Sequence, residues 1–194
     1  MMKVKTIHNI ILQSCSYILY EQDESDCYLV DCGDINPILY FLHENKKILR
    51  GIFLTHSHYD HIYGLNEIIK VYPEIPVFGS KLTIEGIQNA DVNLSYMYDC
   101  GDYIVVNANT IDVEDCSQII FDLKVNILPT PGHDIDCITY IIGDNIFTGD
   151  SFNPDFGVFT KWRRSSEMDA MNSIHIITDL IKERNLNLFP GHYK

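Results

Sequence analysis

The sequence has no long apolar run and no recognisable export signal. None of its apolar stretches approaches the roughly 18 residues that a membrane-spanning helix needs. The N-terminal segment offers Lys3 and Lys5 followed by a short apolar stretch, but polar residues such as His8 and Gln13 interrupt that stretch, and no small-residue cleavage site follows. We therefore expect no membrane span and no secretory leader, and we expect a cytoplasmic location.

Basic residues are also scarce. The chain has 14 Lys and Arg against 27 Asp and Glu, which gives a formal net charge of −13. Such a surface repels the phosphates of nucleic acids and the headgroups of anionic lipids. We therefore expect a small-molecule substrate as the partner, and neither nucleic acid nor membrane. The oligomeric state is left open.

Cysteine pairs of the CxxC type are absent, although the chain has six cysteines. Without an export signal, these cysteines are expected to be buried reduced thiols, and disulfide pairing is the alternative. They are Cys15, Cys27, Cys32, Cys100, Cys116 and Cys137.

What the sequence does contain is a regular succession of strand and helix patterns. Its 46% hydrophobic and 21% charged residues are typical of a globular protein, and 194 residues suit one domain over 1–194. A helix is predicted over 35–45, with Asn36 as N-cap and Pro37 at its first position. Strands are predicted at 6–12, 15–21, 27–33, 48–55, 75–80, 103–107, 109–115, 119–130, 136–143, 145–150 and 186–190, and further helices at 61–72, 80–90 and 167–184. Helices that follow groups of strands in both halves favour a layered α+β sandwich.

The segment HSHYDH, residues 56–61, is the densest chemical feature of the chain. It follows a predicted strand, and on an extended backbone His56 and His58 project to the same side. Asp60 and His61 lie at the turn into the next helix and can point elsewhere. Imidazole and carboxylate are ligands that zinc prefers, and both also suit iron or manganese. The arrangement can therefore serve two neighbouring cations, with one pair of ligands to each.

A catalytic zinc needs about three protein ligands besides water, so further ligands should lie at other strand ends. His133, Asp150 and His192 each follow an apolar predicted strand, and the two histidines lie in Pro-Gly-His tripeptides. Loops at the ends of rigid strands can aim a side chain accurately. These three residues are therefore the candidates that complete the two sites.

Each of these residues has a simpler interpretation when it is taken alone. Asp60 has the position of a helix N-cap, a role that does not exclude ligation. His133 and His192 fit structural turns, and Asp150 fits an ordinary strand end. The presence of all four segments, each at the end of a predicted strand, favours the metal interpretation.

Taken together, these segments resemble the metallo-β-lactamase superfamily over nearly the whole chain. The matching elements are HxHxDH at 56–61, PGH at 131–133, GD at 149–150 and PGH at 190–192. The resemblance implies a four-layer αβ/βα sandwich of the α+β class. It implies that His56, His58 and His133 bind one metal, that Asp60, His61 and His192 bind the second, and that Asp150 bridges them. Asp31, in YLVDCGD, would support the ligands by hydrogen bonds.

By motif, the small glyoxalase II-like hydrolases are the most similar members of this superfamily. The resemblance implies two Zn²⁺ ions, with iron or manganese as alternatives, and a metal-bound hydroxide that attacks a small ester, thioester or lactone. Asp60 is the predicted catalytic residue, because its carboxylate could orient the hydroxide or take its proton. The alternative function is that of a mononuclear iron oxidoreductase similar to persulfide dioxygenases, which share HxHxDH.

The chain departs from the usual family pattern beside the second metal-binding segment. PGHDIDC, residues 131–137, carries Asp134, Asp136 and Cys137 where Thr, Gly and Ser are customary. This difference predicts a loop of another shape and additional negative charge beside the metals.

One basic run, KWRR at 161–164, stands out in the acidic sequence. Trp162, Arg163 and Arg164 are candidate substrate-binding residues, since guanidinium groups bind carboxylate or phosphate and an indole can cover a pocket. A solvated turn before the last helix is the alternative.

Overall fold

A computed structural model describes residues 2–98, 101–113, 117–121 and 123–193. The strands are β1 Lys3–His8, β2 Cys15–Tyr20, β3 Asp26–Val30, β4 Ile48–Phe53, β5 Pro76–Gly79, β6 Asn109–Asp112, β7 Ser117–Ile120, β8 Leu123–Pro129, β9 Ile138–Ile142, β10 Asn145–Gly149 and β11 Asn187–Pro190. The helices are α1 Ile35–Glu44, α2 Tyr59–Ile62, α3 Leu65–Val71, α4 Lys81–Gly86 and α5 Glu167–Arg184, with a 3₁₀ turn at Ser95–Met97.

The strands form two mixed sheets. The first has the order β1-β2-β3-β4-β5-β6, antiparallel up to β3 and parallel beyond it. The second has the order β11-β10-β9-β8-β7, with only the β10–β11 pair parallel. Parallel pairs need helical crossovers, which is why α1 and the α2–α3 segment follow β3 and β4.

Three apolar layers hold the sandwich together. Between the sheets lies an aromatic-rich cluster that includes Phe53 and Phe78 from the first sheet and Tyr140 and Phe147 from the second. The outer face of the first sheet packs against α1 and α3, and that of the second against α5. The arrangement is the predicted four-layer αβ/βα sandwich, which buries both faces of each sheet.

Several element boundaries differ from the predictions. The helix α1 begins at Ile35 after Asp34, so Asn36 lies inside its first turn and is not the N-cap. The predicted helix 61–72 is divided at Gly64 into α2 and α3. Residues 103–107 form no strand, and the predicted strand 119–130 is a hairpin that turns at Phe121, where φ is 49°. Periodicity locates these apolar segments, but a local turn inside an apolar run leaves no mark on it.

Other local predictions are confirmed. Helix α5 spans the predicted residues, and the Ser80 side chain caps α4 by accepting a hydrogen bond from the Thr83 amide. Four of the six cysteines are buried free thiols, and the other two, Cys100 and Cys116, lie outside the described residues. No helix in the described ranges is both long and apolar enough to span a bilayer.

Gly64 lets the α2–α3 segment approach the loop after β3. Its amide donates to the Cys32 carbonyl at 2.9 Å, and a methyl group here would collide with the Gly33 carbonyl. Gly64→Ala is expected to lower the free energy of unfolding by about 3 kcal/mol, because the obstacle is backbone that cannot rotate away. Gly143→Ala is the matched control, since a methyl group there meets open space and only the left-handed backbone opposes it, at a cost of about 1 kcal/mol. Equal losses in chemical denaturation would contradict the close approach.

Candidate metal centre

The predicted ligands lie at one edge of the sandwich. HSHYDH follows β4, His133 follows β8, Asp150 follows β10 and His192 follows β11. Within the second sheet, β8, β10 and β11 run in the same direction, so their carboxyl ends lie at one edge. The short distances between ligand atoms place the end of β4 at that edge too. Residues far apart in sequence therefore meet in space, as the metal interpretation required.

The ligand atoms converge in three overlapping groups. His56, His58 and His133 form one group, and Asp60, His61 and His192 form another, each with donor atoms within 4.8 Å of one another. A third group joins His56 and His61 to Asp150. The first two groups are the two predicted ligand triads, so the geometry fits two adjacent cations.

Each of the five histidines has one ring nitrogen engaged outside the cluster. His58 and His61 face the carboxylates of Asp134 and Asp31, at 3.4 and 3.0 Å. His133 Nδ1 donates to the Phe159 carbonyl at 2.8 Å. The remaining two contacts are His192 Nδ1 to the Leu12 carbonyl at 3.0 Å and His56 Nδ1 to Thr55 Oγ1 at 3.1 Å. Such outer contacts fix the ring and its tautomer, and they leave the other nitrogen as the ligand atom.

Asp150 lies between the two triads. Its Oδ2 is 3.2 Å from His133 Nε2 and 3.2 Å from His192 Nε2, while its Oδ1 is 3.4 Å from His61 Nε2. One carboxylate therefore reaches a histidine of the first triad and two of the second. This is the placement that a bridging ligand needs.

The charges of the cluster are strongly coupled. Burial acts to raise the pKa of Asp150, but the neighbouring histidines, His192 first, hold it well below its usual range. Burial acts to lower the pKa of His61, but the carboxylates of Asp60 and Asp150 raise it well above the usual value. The buried carboxylates thus draw positive charge into the cluster, which is the charge that divalent cations carry.

Two buried atoms test whether the residues fit a metal. Among the described residues, four buried side-chain atoms find no hydrogen-bond partner, and two of these four, His56 Nε2 and Asp150 Oδ1, belong to the cluster. Leaving such groups unpaired costs free energy, so native structures rarely do so without a ligand or a water. Both atoms belong to the third ligand group, and imidazole nitrogen with carboxylate oxygen is a donor set for divalent metals. The residues present therefore fit the implied ions.

Asp31 supports the cluster from behind, at the position predicted for it. Its Oδ1 accepts from the Thr55 amide and its Oδ2 from the Thr55 hydroxyl, both at 2.8 Å, and it also faces His61. Its backbone is left-handed, with φ of 54°, and this conformation turns the chain out of β3 so that the carboxylate points inward. Thr55 is a supporting residue that the sequence pattern did not single out.

Asp134, which was predicted only to add negative charge beside the metals, makes two specific contacts. Its Oδ2 faces His58 Nε2, and its Oδ1 pairs with Arg164 Nη2 at 2.9 Å. Burial acts to raise the pKa of this carboxyl, but His58 and Arg164 bring it below the usual value. Asp134 thus orients the ring of His58 in the same way that Asp31 orients the ring of His61.

Asp134→Ala is expected to weaken metal binding by about 10- to 100-fold, because His58 loses the acceptor that orients its ring. Competition titration with a chromophoric chelator measures this change. Arg163→Ala is the matched control, since Arg163 is exposed and is expected to leave the affinity unchanged. Unchanged affinity in Asp134→Ala would show that His58 is oriented by other contacts.

A cavity of about 530 Å³ opens onto the cluster. Five of the predicted ligands line it, and among the three candidate substrate-binding residues only Trp162 does so. The lining ligands are His58, Asp60, His133, Asp150 and His192. Arg164 is paired with Asp134, so its placement does not support the predicted grip on an anionic substrate. The rest of the wall includes Leu12 and Leu94, which the sequence pattern did not mark as functional.

The family model of the metallo-β-lactamase superfamily matches residues 11–192. The chain belongs to this superfamily. Members bind divalent metals, in agreement with the His/Asp cluster, whereas the identity of the metal in this chain is not fixed by membership. The prediction of a single domain over 1–194 stays a prediction.

Curated proteins named hydroxyacylglutathione hydrolase are similar to this chain in sequence. A hydroxyacylglutathione hydrolase from Hahella chejuensis is 31% identical over 68% of this chain and 44% of its own length. The chain spans 42% to 66% of the length of the curated relatives that it matches, so it corresponds to only part of them.

Solved structures of the superfamily share the fold. The B3 metallo-β-lactamase BLEG-1 superposes with a TM-score of 0.87 at 22% identity, over 99% of this chain and 92% of that one. TTHA1623, crystallised in a di-iron-bound form, gives a TM-score of 0.81 at 20% identity, over 98% and 93%. At these identities the likeness extends to the fold alone.

Proposed function

We propose that the chain is a dinuclear metal-dependent hydrolase that cleaves a small ester, thioester or lactone, with two Zn²⁺ ions as its metals. The observation that carries the proposal is the convergence of two three-ligand groups on Asp150, with each histidine held from outside. Two divalent cations there would polarise a bound carbonyl and lower the pKa of a bound water to about 7.

The protein itself would position the substrate and handle the proton. Asp60 lines the cavity, and its Oδ2 is 3.4 Å from both His61 Nε2 and His192 Nε2. We assign Asp60 to orient the attacking water and to accept its proton. The water oxygen bonds to the acyl carbon, the bond from that carbon to sulfur or oxygen breaks, and the leaving group takes up a proton. No serine or cysteine nucleophile is required.

The alternative is a mononuclear iron oxidoreductase that acts on persulfides. A single ion would leave one of the two triads without a role, although the donor atoms of both His56–His58–His133 and Asp60–His61–His192 lie within 4.8 Å of one another. The geometry therefore favours the dinuclear hydrolase.

A panel of thioesters, lactones, phosphodiesters and β-lactams, assayed with and without chelator, tests the proposed function. We expect release of thiol from at least one thioester, loss of that activity with chelator and recovery on addition of zinc. Tyr40→Ala, on the exposed face of α1, is a control that should behave as the wild type. Activity that survives complete metal removal, or metal-loaded protein that cleaves no substrate of the panel, would contradict the proposal.

A further inference from the structure

The wall of the cavity is largely apolar and aromatic. Leu12, Leu94, Phe156, Phe159 and Trp162 face it from three separate loops. Leu12 and Phe156 are 62% and 56% exposed, so their apolar surface is open at the rim of the cavity. Apolar surface that rims a cavity is typical of a ligand-binding site.

Two of these residues are held in conformations that leucine rarely adopts. The φ angle is 50° at Leu12 and 63° at Leu94. Leu12 is fixed through its carbonyl, which accepts from His192 Nδ1. Leu94 follows Asn93, whose carbonyl accepts from the Tyr59 amide at 2.8 Å. Strained backbone of this kind persists where the surroundings enforce it, and it is concentrated at functional sites. Both loops therefore present leucines to the cavity as built features.

Cations are missing from the same wall. Among the described residues that line the cavity, none is Lys or Arg. The internal residues outside the described ranges are Asp, Glu and Cys, so they add no positive charge. Arg164 is occupied by Asp134, and Lys161 pairs with Glu167 at the surface. Outside the ligand cluster, where the carbonyl would lie, a carboxylate at the far end of the acyl group would thus meet no Lys or Arg in the wall, and the net charge of −13 would oppose its approach.

We propose that this cavity selects substrates whose acyl group is uncharged and apolar, either a medium-length alkyl chain or an aromatic ring. This inference rests on the proposed hydrolase function and adds the substrate class. The apolar part packs against Leu12, Leu94, Phe156, Phe159 and Trp162, while the carbonyl lies over the ligand cluster.

Direct binding to the metal-free protein tests this selectivity without catalysis. Trp162 is the only tryptophan of the chain and lines the cavity, so its fluorescence reports on the occupant. The probes are phenylacetamide and hexanamide, which are neutral, and succinamate, which is anionic. We expect the neutral probes to bind at least about tenfold more tightly than succinamate, since a carboxylate beside the apolar wall must be desolvated without a Lys or Arg partner. Equal or tighter binding of succinamate would overturn the proposal.

A charge-placement variant makes the test sharper. Phe156→Arg puts a cation at the rim and is expected to raise succinamate affinity at least about fivefold while weakening phenylacetamide. Tyr40→Arg adds the same charge at an exposed position of α1 that does not line the cavity, and it should change neither affinity. Lys194 lies outside the described residues next to the cavity-lining Tyr193, so Lys194→Ala is included and should also change neither. If the wild type prefers succinamate and Lys194→Ala does not, Lys194 supplies a counter-ion for the substrate, and this result would overturn the proposal.

Kinetics on the zinc-loaded protein separate this inference from the proposed function. Phenylacetyl and hexanoyl thioesters are expected to give kcat/KM at least about tenfold above a succinyl thioester of the same thiol. A preference for the succinyl substrate would leave the hydrolase intact and reject the apolar pocket. Selective binding of neutral probes by a protein that cleaves none of the thioesters would reject the hydrolase and leave the pocket.

Discussion

Asp150→Asn is expected to lower kcat/KM by more than about 100-fold and to reduce the metal content of the protein. The variant keeps the shape of the side chain but removes the negative charge that reaches His61, His133 and His192. Groups that only support a ligand cost about 10- to 100-fold when they are changed, so a bridging ligand should cost more. Thioester hydrolysis measures the first effect, and elemental analysis after dialysis against zinc measures the second.

Asp155→Asn is the matched control for this experiment. Asp155 is an exposed aspartate in the same loop, five residues away, and it does not line the cavity. It should retain wild-type activity and metal content. Full activity in Asp150→Asn would show that Asp150 does not join the two triads.

Asp31→Ala is expected to lower the free energy of unfolding by about 3 kcal/mol or more. The Thr55 amide, the Thr55 hydroxyl and His61 Nδ1 all face this buried carboxylate, and each buried donor left unpaired costs about 1–3 kcal/mol. Alanine is also poorly suited to the left-handed backbone at this position, where φ is 54°. Chemical denaturation of the metal-free protein measures the loss.

Two further variants identify the cause of that loss. Asp31→Asn tolerates the left-handed backbone and keeps one acceptor, so it should recover part of the stability. Asp112→Ala removes an exposed aspartate at the end of β6 and should stay within about 0.5 kcal/mol of the wild type. If Asp31→Ala were as stable as Asp112→Ala, the hydrogen bonds of Asp31 would not be needed to hold the edge of the first sheet.

The residues of the candidate site were predictable because they lie in short, recognisable segments at the ends of predicted strands. HSHYDH, the two PGH tripeptides and Asp150 are visible without any knowledge of packing, and the structure brings all of them to one edge. The carboxylates that orient the histidines through hydrogen bonds were only partly predictable. Asp31 was expected behind the ligands, whereas the contact of Asp134 with His58 depends on the shape of a loop that sequence periodicity does not describe.

The walls of the cavity were not predictable for a physical reason. Residues 6–12 have the composition of a strand, but β1 ends at His8, and Leu12 enters a left-handed turn that places it at the cavity. The segment around Leu94 has weak periodicity, and its conformation is set by contacts of Asn93 with Tyr59 and Tyr103. Long-range hydrogen bonds of this kind decide where an apolar side chain of a loop points, and they leave no local signal.

Metal stoichiometry is the most direct test of the central claim that the two triads hold two cations. The protein is stripped with chelator, dialysed against zinc and analysed for metal per chain, with His56→Ala and the exposed-residue variant His43→Ala treated in parallel. We expect two zinc ions per chain in the wild type and in His43→Ala, and fewer in His56→Ala. One tightly held iron per purified chain, or no metal in the wild type with His56→Ala indistinguishable from it, would contradict the dinuclear site.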